Sequence, residues 1–280
     1  MTSGVVALVL LAAVMHASWN AALRGGRDRL WSGSAMGFSA ALACLLAIPF
    51  LPLPLLPSWP HIALSAAIHV GYTLLLVRMY RQGDLGVTYP VARGSSPLLI
   101  TLGGAFLGGE IISPIHGAGV ALVSAGIFTL AFGGGHLHRA SIPAALATGV
   151  AIAAYSLTDG LGARVSGNAV AYTAWMMLLH GMAMPVVFSS RRRKGKLALF
   201  TGRSHRDWMQ AAAGGIISLT GYGVVIWAMK HASMGMVSAL RETSVLFAAF
   251  LGRVFLGEPF TTPKIVAAIM IVAGAICLHH

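Results

Sequence analysis

Residues 89–110, YPVARGSSPLLITLGGAFLGGE, have a second copy at residues 239–258, ALRETSVLFAAFLGRVFLGE. The copies register without a gap at Arg93/Arg241, Ser96/Ser244, Leu98/Leu246, Gly104/Gly252, Gly109/Gly257 and Glu110/Glu258. The chain is internally duplicated. Each copy reads as an apolar helix long enough to cross a bilayer, yet carries an arginine with hydroxyl residues a few positions on. Lipid cannot satisfy such groups, so each helix must turn a polar face toward protein or a water-filled cavity.

Composition sets the class. Of 280 residues, 57% are hydrophobic and only 9% charged, where soluble domains carry about a quarter charged residues. Apolar runs of about 20 residues, the length that spans the hydrocarbon core, recur along the whole chain and leave no room for a soluble domain. This predicts an all-α integral membrane protein whose first partner is the lipid bilayer. The net charge of +12 belongs to loops that fix membrane orientation, not to nucleic-acid binding. Cys44 and Cys277 sit inside apolar runs without metal-ligand spacing, so no disulfide framework, zinc site or other metal site is expected. The opening MTSG has no basic segment before its apolar run, so that run is expected to stay as a helix.

Ten spans are expected, at about 4–23, 32–51, 61–81, 86–107, 114–133, 142–163, 169–189, 208–230, 235–256 and 261–279. Gly25-Gly26-Arg27-Asp28, the prolines at 52, 54, 57 and 60, and Gln82-Gly83-Asp84 divide the first four. Gly133-Gly134-Gly135 closes the first half, giving one repeat over 1–135 and a second over 136–280. The second half echoes the first: Gly221-Tyr222 answers Gly71-Tyr72, and Met184-Pro185 answers Ile48-Pro49. Five is odd. A repeat of five crossings re-enters from the opposite side, so the two copies must be inverted, with a shared site near the midplane between them.

The duplicated arginine–serine helix, the Gly-Glu pairs at 109–110 and 257–258 and a polar patch in the first span resemble the drug/metabolite transporter superfamily, in its ten-helix EamA-type members. The resemblance covers essentially the whole chain. It implies two EamA-like repeats, a secondary transporter acting as an exporter of small metabolites, no cofactor, and a place in a bacterial cytoplasmic (inner) membrane. It does not choose the substrate, because the superfamily moves amino acids, drugs and other metabolites.

Polar groups inside the spans give the candidate substrate site. His16, Trp19 and Asn20 share a helical face at i, i+3, i+4, and Tyr155, Thr158 and Asp159 repeat that spacing in the sixth span. Tyr89, Arg93 and Ser96 follow i, i+4, i+7 between Pro90 and Pro97, whose helix kinks would free carbonyls for substrate or water. The ninth span offers Arg241, Glu242 and Ser244. Arg241 and Glu242 are adjacent, so on one helix they point about 100° apart and cannot face the same way. One reading pairs Arg93 and Arg241 with Asp159 and Glu242 merely to hold the halves together. The other leaves one acid, Asp159 or Glu242, free to change protonation and couple transport to protons.

Trp31, Trp59 and Trp208 fall at span ends, where tryptophan joins the interfacial belt. Deeper aromatics, Tyr72, Trp175 and Tyr222 with those above, would line a mixed apolar and polar pocket. His69 and His180 are ambiguous between packing and pocket. Gly104 and Gly108 read as a small-xxx-small contact for close helix approach, and Glu110 and Glu258 as helix-end anchors.

No HExxH, GxSxG or phosphate-binding loop occurs, so no catalytic residues and no enzyme are expected. The leading function is secondary transport of a small amphipathic or zwitterionic metabolite, an amino acid for example, by alternating access, with an arginine meeting its carboxylate. The alternative is efflux of cationic hydrophobic drugs. A third reading is a membrane-embedded enzyme or assembly partner.

Orientation reads two ways. Arg24, Arg27 and Arg29, Arg78 and Arg81, Arg139, the basic run 191–196 with Arg203 and Arg206, and Lys264 all follow odd-numbered spans; only Arg164 and Lys230 lie opposite. The positive-inside rule then places both termini outside, whereas the resemblance implies termini in the cytoplasm.

Overall fold

The computed structural model describes residues 1–25, 28–82, 85–133, 142–192, 199–256 and 261–279, which are helical with short connections and contain no strand. The helices are α1 (Ser3–Gly25), α2 (Arg29–Ala47), α3 (Trp59–Gln82), α4 (Leu85–Gly108), α5 (Pro114–Gly133), α6 (Ile142–Val165), α7 (Ala169–Arg192), α8 (His205–His231), α9 (Met234–Arg241), α10 (Ser244–Leu256) and α11 (Thr262–His279). The Gly257–Glu258 pair, most of the basic run after α7 and the Gly134–Gly135 boundary lie outside the described residues.

Eight of these helices are long and apolar enough to cross a membrane. α4 has the length, but Arg93, Ser95, Ser96 and two prolines dilute its apolar content. The ninth expected span is not one helix: it divides at Glu242–Thr243 into α9, of 8 residues, and α10, of 13. Large apolar side chains such as Phe50, 87% exposed, and Phe106, 84% exposed, point outward, which water would penalise and a lipid tail welcomes.

Local chemistry sets the ends. Asp28 caps α2, its carboxylate accepting from the Trp31 N–H at 3.1 Å, and Ser204 with Asp207 forms a capping box on α8. Gly109, at φ 63°, ends α4 in the left-handed conformation that glycine adopts without a Cβ penalty. The Glu110 N–H then reaches back to the Gly104 carbonyl at 3.1 Å, pairing one of the carbonyls that a helix end leaves open. The expected proline kinks do not break α4. The Arg93 carbonyl, freed because Pro97 has no N–H, accepts from Ser96 Oγ at 3.2 Å, so it is not available to a substrate.

Extensive contacts join α5 to α11, α2 to α7, α4 to α6, α3 to α6, α4 to α5 and α1 to α8. Glycine lets them close. A Cβ at Gly274 of α11 would stand 2.7 Å from the Gly119 carbonyl of α5, so only a hydrogen fits there. Trp31 does not join an interfacial belt; it is buried, donates Nε1–H to the Leu199 carbonyl at 2.8 Å and packs edge-on against Trp208. The Arg203 guanidinium covers the Trp31 ring, and Arg192 and Arg203 both pair with Asp28, at 2.6 and 3.1 Å.

Candidate functional site

The break between α9 and α10 places a carboxylate between two guanidiniums. Across it, hydrogen bonds tighten to i→i+3, with Thr243 N–H on Leu240, Val245 N–H on Glu242 and Leu246 N–H on Thr243, a 3₁₀ turn of the kind that marks hinges and functional sites. Glu242 lies in the turn at φ −67°, ψ −13°. Its Oε2 is 2.7 Å from Arg93 Nε and its Oε1 is 3.5 Å from Arg241 Nη2, with all three residues buried. The two neighbours, set about 100° apart in direction, still come within 3.5 Å of each other at their side-chain tips.

The expected pairing of two arginines with two acids is also corrected. Glu242 serves both arginines, while Asp159 accepts hydroxyls from Tyr172 at 2.9 Å and Tyr222 at 2.6 Å and has no ion-pair partner among the described residues. Counting formal charge, Arg93, Arg241 and Glu242 leave one positive charge uncompensated within the cluster. Hydrogen bonding is incomplete too. The 2.7 Å contact lies off the N–H axis, so it is an ion pair without an aligned hydrogen bond, and Arg93 Nη1 and Nη2 with Arg241 Nε and Nη2 find no hydrogen-bond partner among the described residues. Buried donors in that state are rare and call for an explanation.

Arg241 faces a cavity of about 110 Å³ between α1, α2, α3, α6, α7 and α8. Its walls are aromatic and apolar: Trp19, Tyr72, Tyr155 and Tyr222 stand with Met36, Met177 and several leucines, and His16, His69 and His180 add imidazoles. Tyr155 hydrogen-bonds Arg241 and stacks on His69 with ring centroids 4.1 Å apart. Neither ring nitrogen of His180 has a partner among the described residues. Arg93, Asp159 and Glu242 do not line the cavity. They stand one layer behind it, Asp159 reaching it only through the Tyr222 hydroxyl.

Of the sequence-predicted site, His16, Trp19, Tyr72, Tyr155, Tyr222 and Arg241 come together at the cavity. Asn20 shares the face of His16 but turns back on its own helix, donating to the His16 carbonyl at 2.9 Å. Thr158 does the same toward Ala154 at 2.8 Å, since a hydroxyl in an apolar helix finds the carbonyl one turn back. Tyr89 lies under Arg93 at 5.8 Å, Ser96 and Ser244 are buried at the cluster, and Trp175 packs on Trp59; none of these four lines the cavity. His69, Met177, His180 and Ser218 do. Spacing carried a signal for them, since His69 precedes Tyr72 by three residues and Met177 precedes His180 by three.

A second polar centre lies at the far ends of α4, α6 and α8. Glu110 pairs with Arg164, accepts the Ser233 hydroxyl at 2.8 Å and the Met234 N–H at 3.0 Å, and so caps the start of α9. Arg164 meanwhile donates to the Met229 and Ala232 carbonyls, each at 3.2 Å, at the close of α8. Gly104 and Gly108 do not bring two helix backbones together here. They make room for the Glu110 carboxylate and the Met234 methyl.

Fold and site together define a multi-pass helical membrane protein with a cationic, aromatic-walled cavity enclosed by its helices. The EamA-like transporter family matches residues 139–279, half of the chain, and the chain belongs to that family of membrane transporters in the drug/metabolite transporter superfamily. A crystal structure described only as "Crystal structure of protein" is similar over 100% of this chain and 99% of its own, with a TM-score of 0.79 at 22% identity; that likeness concerns the fold alone. No curated protein matches the chain.

Proposed function

We propose that the protein is a secondary transporter, working as an exporter in a bacterial cytoplasmic membrane, for a small amphipathic metabolite that presents a carboxylate, an amino acid or a relative of one. The observation that carries this is Arg241: a buried guanidinium with donors to spare, on the wall of an aromatic cavity, in a cluster with one positive charge in excess. A carboxylate would take the unused donors in a charge-assisted contact, while the aromatic walls would hold the apolar part.

Alternating access of two inverted five-helix repeats, 1–135 and 136–280, is the accompanying mechanism. Its support is the packing of α2 on α7 and of α5 on α11, counterparts in the two repeats, and the family match, which falls on the second unit. Ten crossings follow if α4 counts as one and α9 with α10 as another, and the 3₁₀ turn would be the flexible point of a discontinuous helix. For proton coupling, Asp159 is the stronger of the two acids. The Glu242 carboxylate is engaged by two guanidiniums, whereas Asp159 meets neutral hydroxyls that can also bond a protonated carboxyl.

Efflux of cationic drugs fits less well, because the charged group on the cavity wall is an arginine. A membrane-embedded enzyme has neither a motif nor a family link in its favour. The decisive experiment is uptake of a labelled metabolite panel into proteoliposomes with and without a pH gradient. Accumulation of a carboxylate compound supports the proposal; movement of cations alone, or of nothing, overturns it.

A further inference from the structure

We infer that the cavity selects a monocarboxylate without a free ammonium group: an organic acid with an apolar or aromatic body, whose nitrogen, where it has one, is acylated or otherwise uncharged. This rests on the carboxylate-transport reading above and narrows it. Among the described residues, those that line the cavity include one guanidinium and three imidazoles and no aspartate or glutamate. Both acids near it are already engaged, Glu242 between Arg93 and Arg241, Asp159 beneath Tyr172 and Tyr222, and both are 0% exposed.

A zwitterion entering this space would lose the hydration of its ammonium and meet no counter-charge, and stripping water from an unpaired charge is among the most costly steps a binding site can impose. The tyrosine and tryptophan faces do not replace a carboxylate. Cation–π attraction is weaker than an ion pair, and Arg241 repels a cation in the same cavity. The spare capacity instead suits a neutral polar group. His180 lines the cavity and neither of its ring nitrogens has a partner among the described residues; a neutral imidazole offers one donor and one acceptor, the complement of an amide, hydroxyl or keto group.

Four compounds with one phenyl body test this: 3-phenylpropionate, N-acetylphenylalanine, phenylalanine and phenethylamine, titrated calorimetrically into the purified full-length protein in detergent micelles. The inference expects the first two to bind at least about tenfold more tightly than phenylalanine, phenethylamine to give no heat, Arg241→Gln to abolish binding, and His180→Ala to narrow the gap between N-acetylphenylalanine and 3-phenylpropionate. Phenylalanine binding as tightly as its acetylated form would overturn the inference and leave the carboxylate reading standing. Preference for phenethylamine, or no binding by any of the three acids, would overturn both. If Arg241→Gln does not fold, Arg241→Lys takes its place: it keeps the charge and loses the planar fork, and unchanged affinity for 3-phenylpropionate would remove Arg241 from recognition.

Discussion

Glu242→Gln keeps the volume of the side chain and removes its charge, which leaves two guanidiniums facing an amide in a space where Glu242 itself is 0% exposed. Arg93 loses a partner at 2.7 Å and Arg241 one at 3.5 Å, and half of the new amide is a donor pointed at donors. Breaking a buried ion pair by removing one partner costs about 3–5 kcal/mol, and stranding two cations at once argues for the upper part of that range. Asp159→Asn is the internal standard. Its partners are neutral hydroxyls, the phenols at 2.9 and 2.6 Å and that of Ser65, which can still donate to the asparagine oxygen, so the loss should be about 1–2 kcal/mol. Unfolding both variants by titrating sodium dodecyl sulfate into mixed micelles, followed by circular dichroism, should separate them by at least about 2 kcal/mol. If Glu242→Gln unfolds together with Asp159→Asn, the guanidiniums do not depend on the carboxylate, and the charge excess assigned to the cluster is wrong.

Arg241→Gln should lower carboxylate uptake by roughly two orders of magnitude, the cost of a lost charged hydrogen bond and its unpaired partner, read as initial rates in proteoliposomes. Asp159→Asn should keep exchange of substrate between the two sides of the vesicle while losing the response to an imposed pH gradient; retained coupling would move the proton elsewhere. Gly109→Ala forces a side chain into φ 63° and should cost about 1 kcal/mol, seen as a lowered Tm. Parallel fusions of alkaline phosphatase and a cytoplasm-only fluorescent protein after the last residue should give an active phosphatase and a dark fluorophore, as the loop charges require; the reverse pattern would place the termini inside.

The membrane class and the arginine helices were legible because bilayer length and the intolerance of lipid for charge leave marks in single residues. Of the six aromatic and basic residues that meet at the cavity, His16, Trp19 and Tyr155 followed from helical spacing, Tyr72 and Tyr222 from their depth in the spans and Arg241 from the duplication. What spacing could not give was the third dimension of the acids. That Glu242 lies between Arg93 and Arg241 depends on how α4 sits against α9, and that Asp159 belongs to Tyr172 and Tyr222 depends on which helices adjoin it. Asn20 and Thr158 lay on the correct face but bond within their own helices, Thr158 to the Ala154 carbonyl and Asn20 to both the carbonyl and the ring of His16, a local option that periodicity does not record. The glycines of the duplicated segment were read as a helix contact when their service is to make room for Glu110.

The position of the Glu110–Arg164 centre bears on kinetics. The cavity reaches toward Leu23, Gly33, Leu76 and Gly215, at the end of α1, the start of α2, the end of α3 and the start of α8, whereas Glu110 ties the ends of α4, α6 and α8 on the opposite face. The clasp is a latch on one door. Because one carboxylate holds three donors, the bonds release together, at a cost of roughly 4 kcal/mol before any gain on the other side. Under the alternating access proposed above, a latch of that strength would hold the opposite-facing state near one molecule in a thousand where no new contact repays it, and cargo that binds that state more tightly would be the key that turns it.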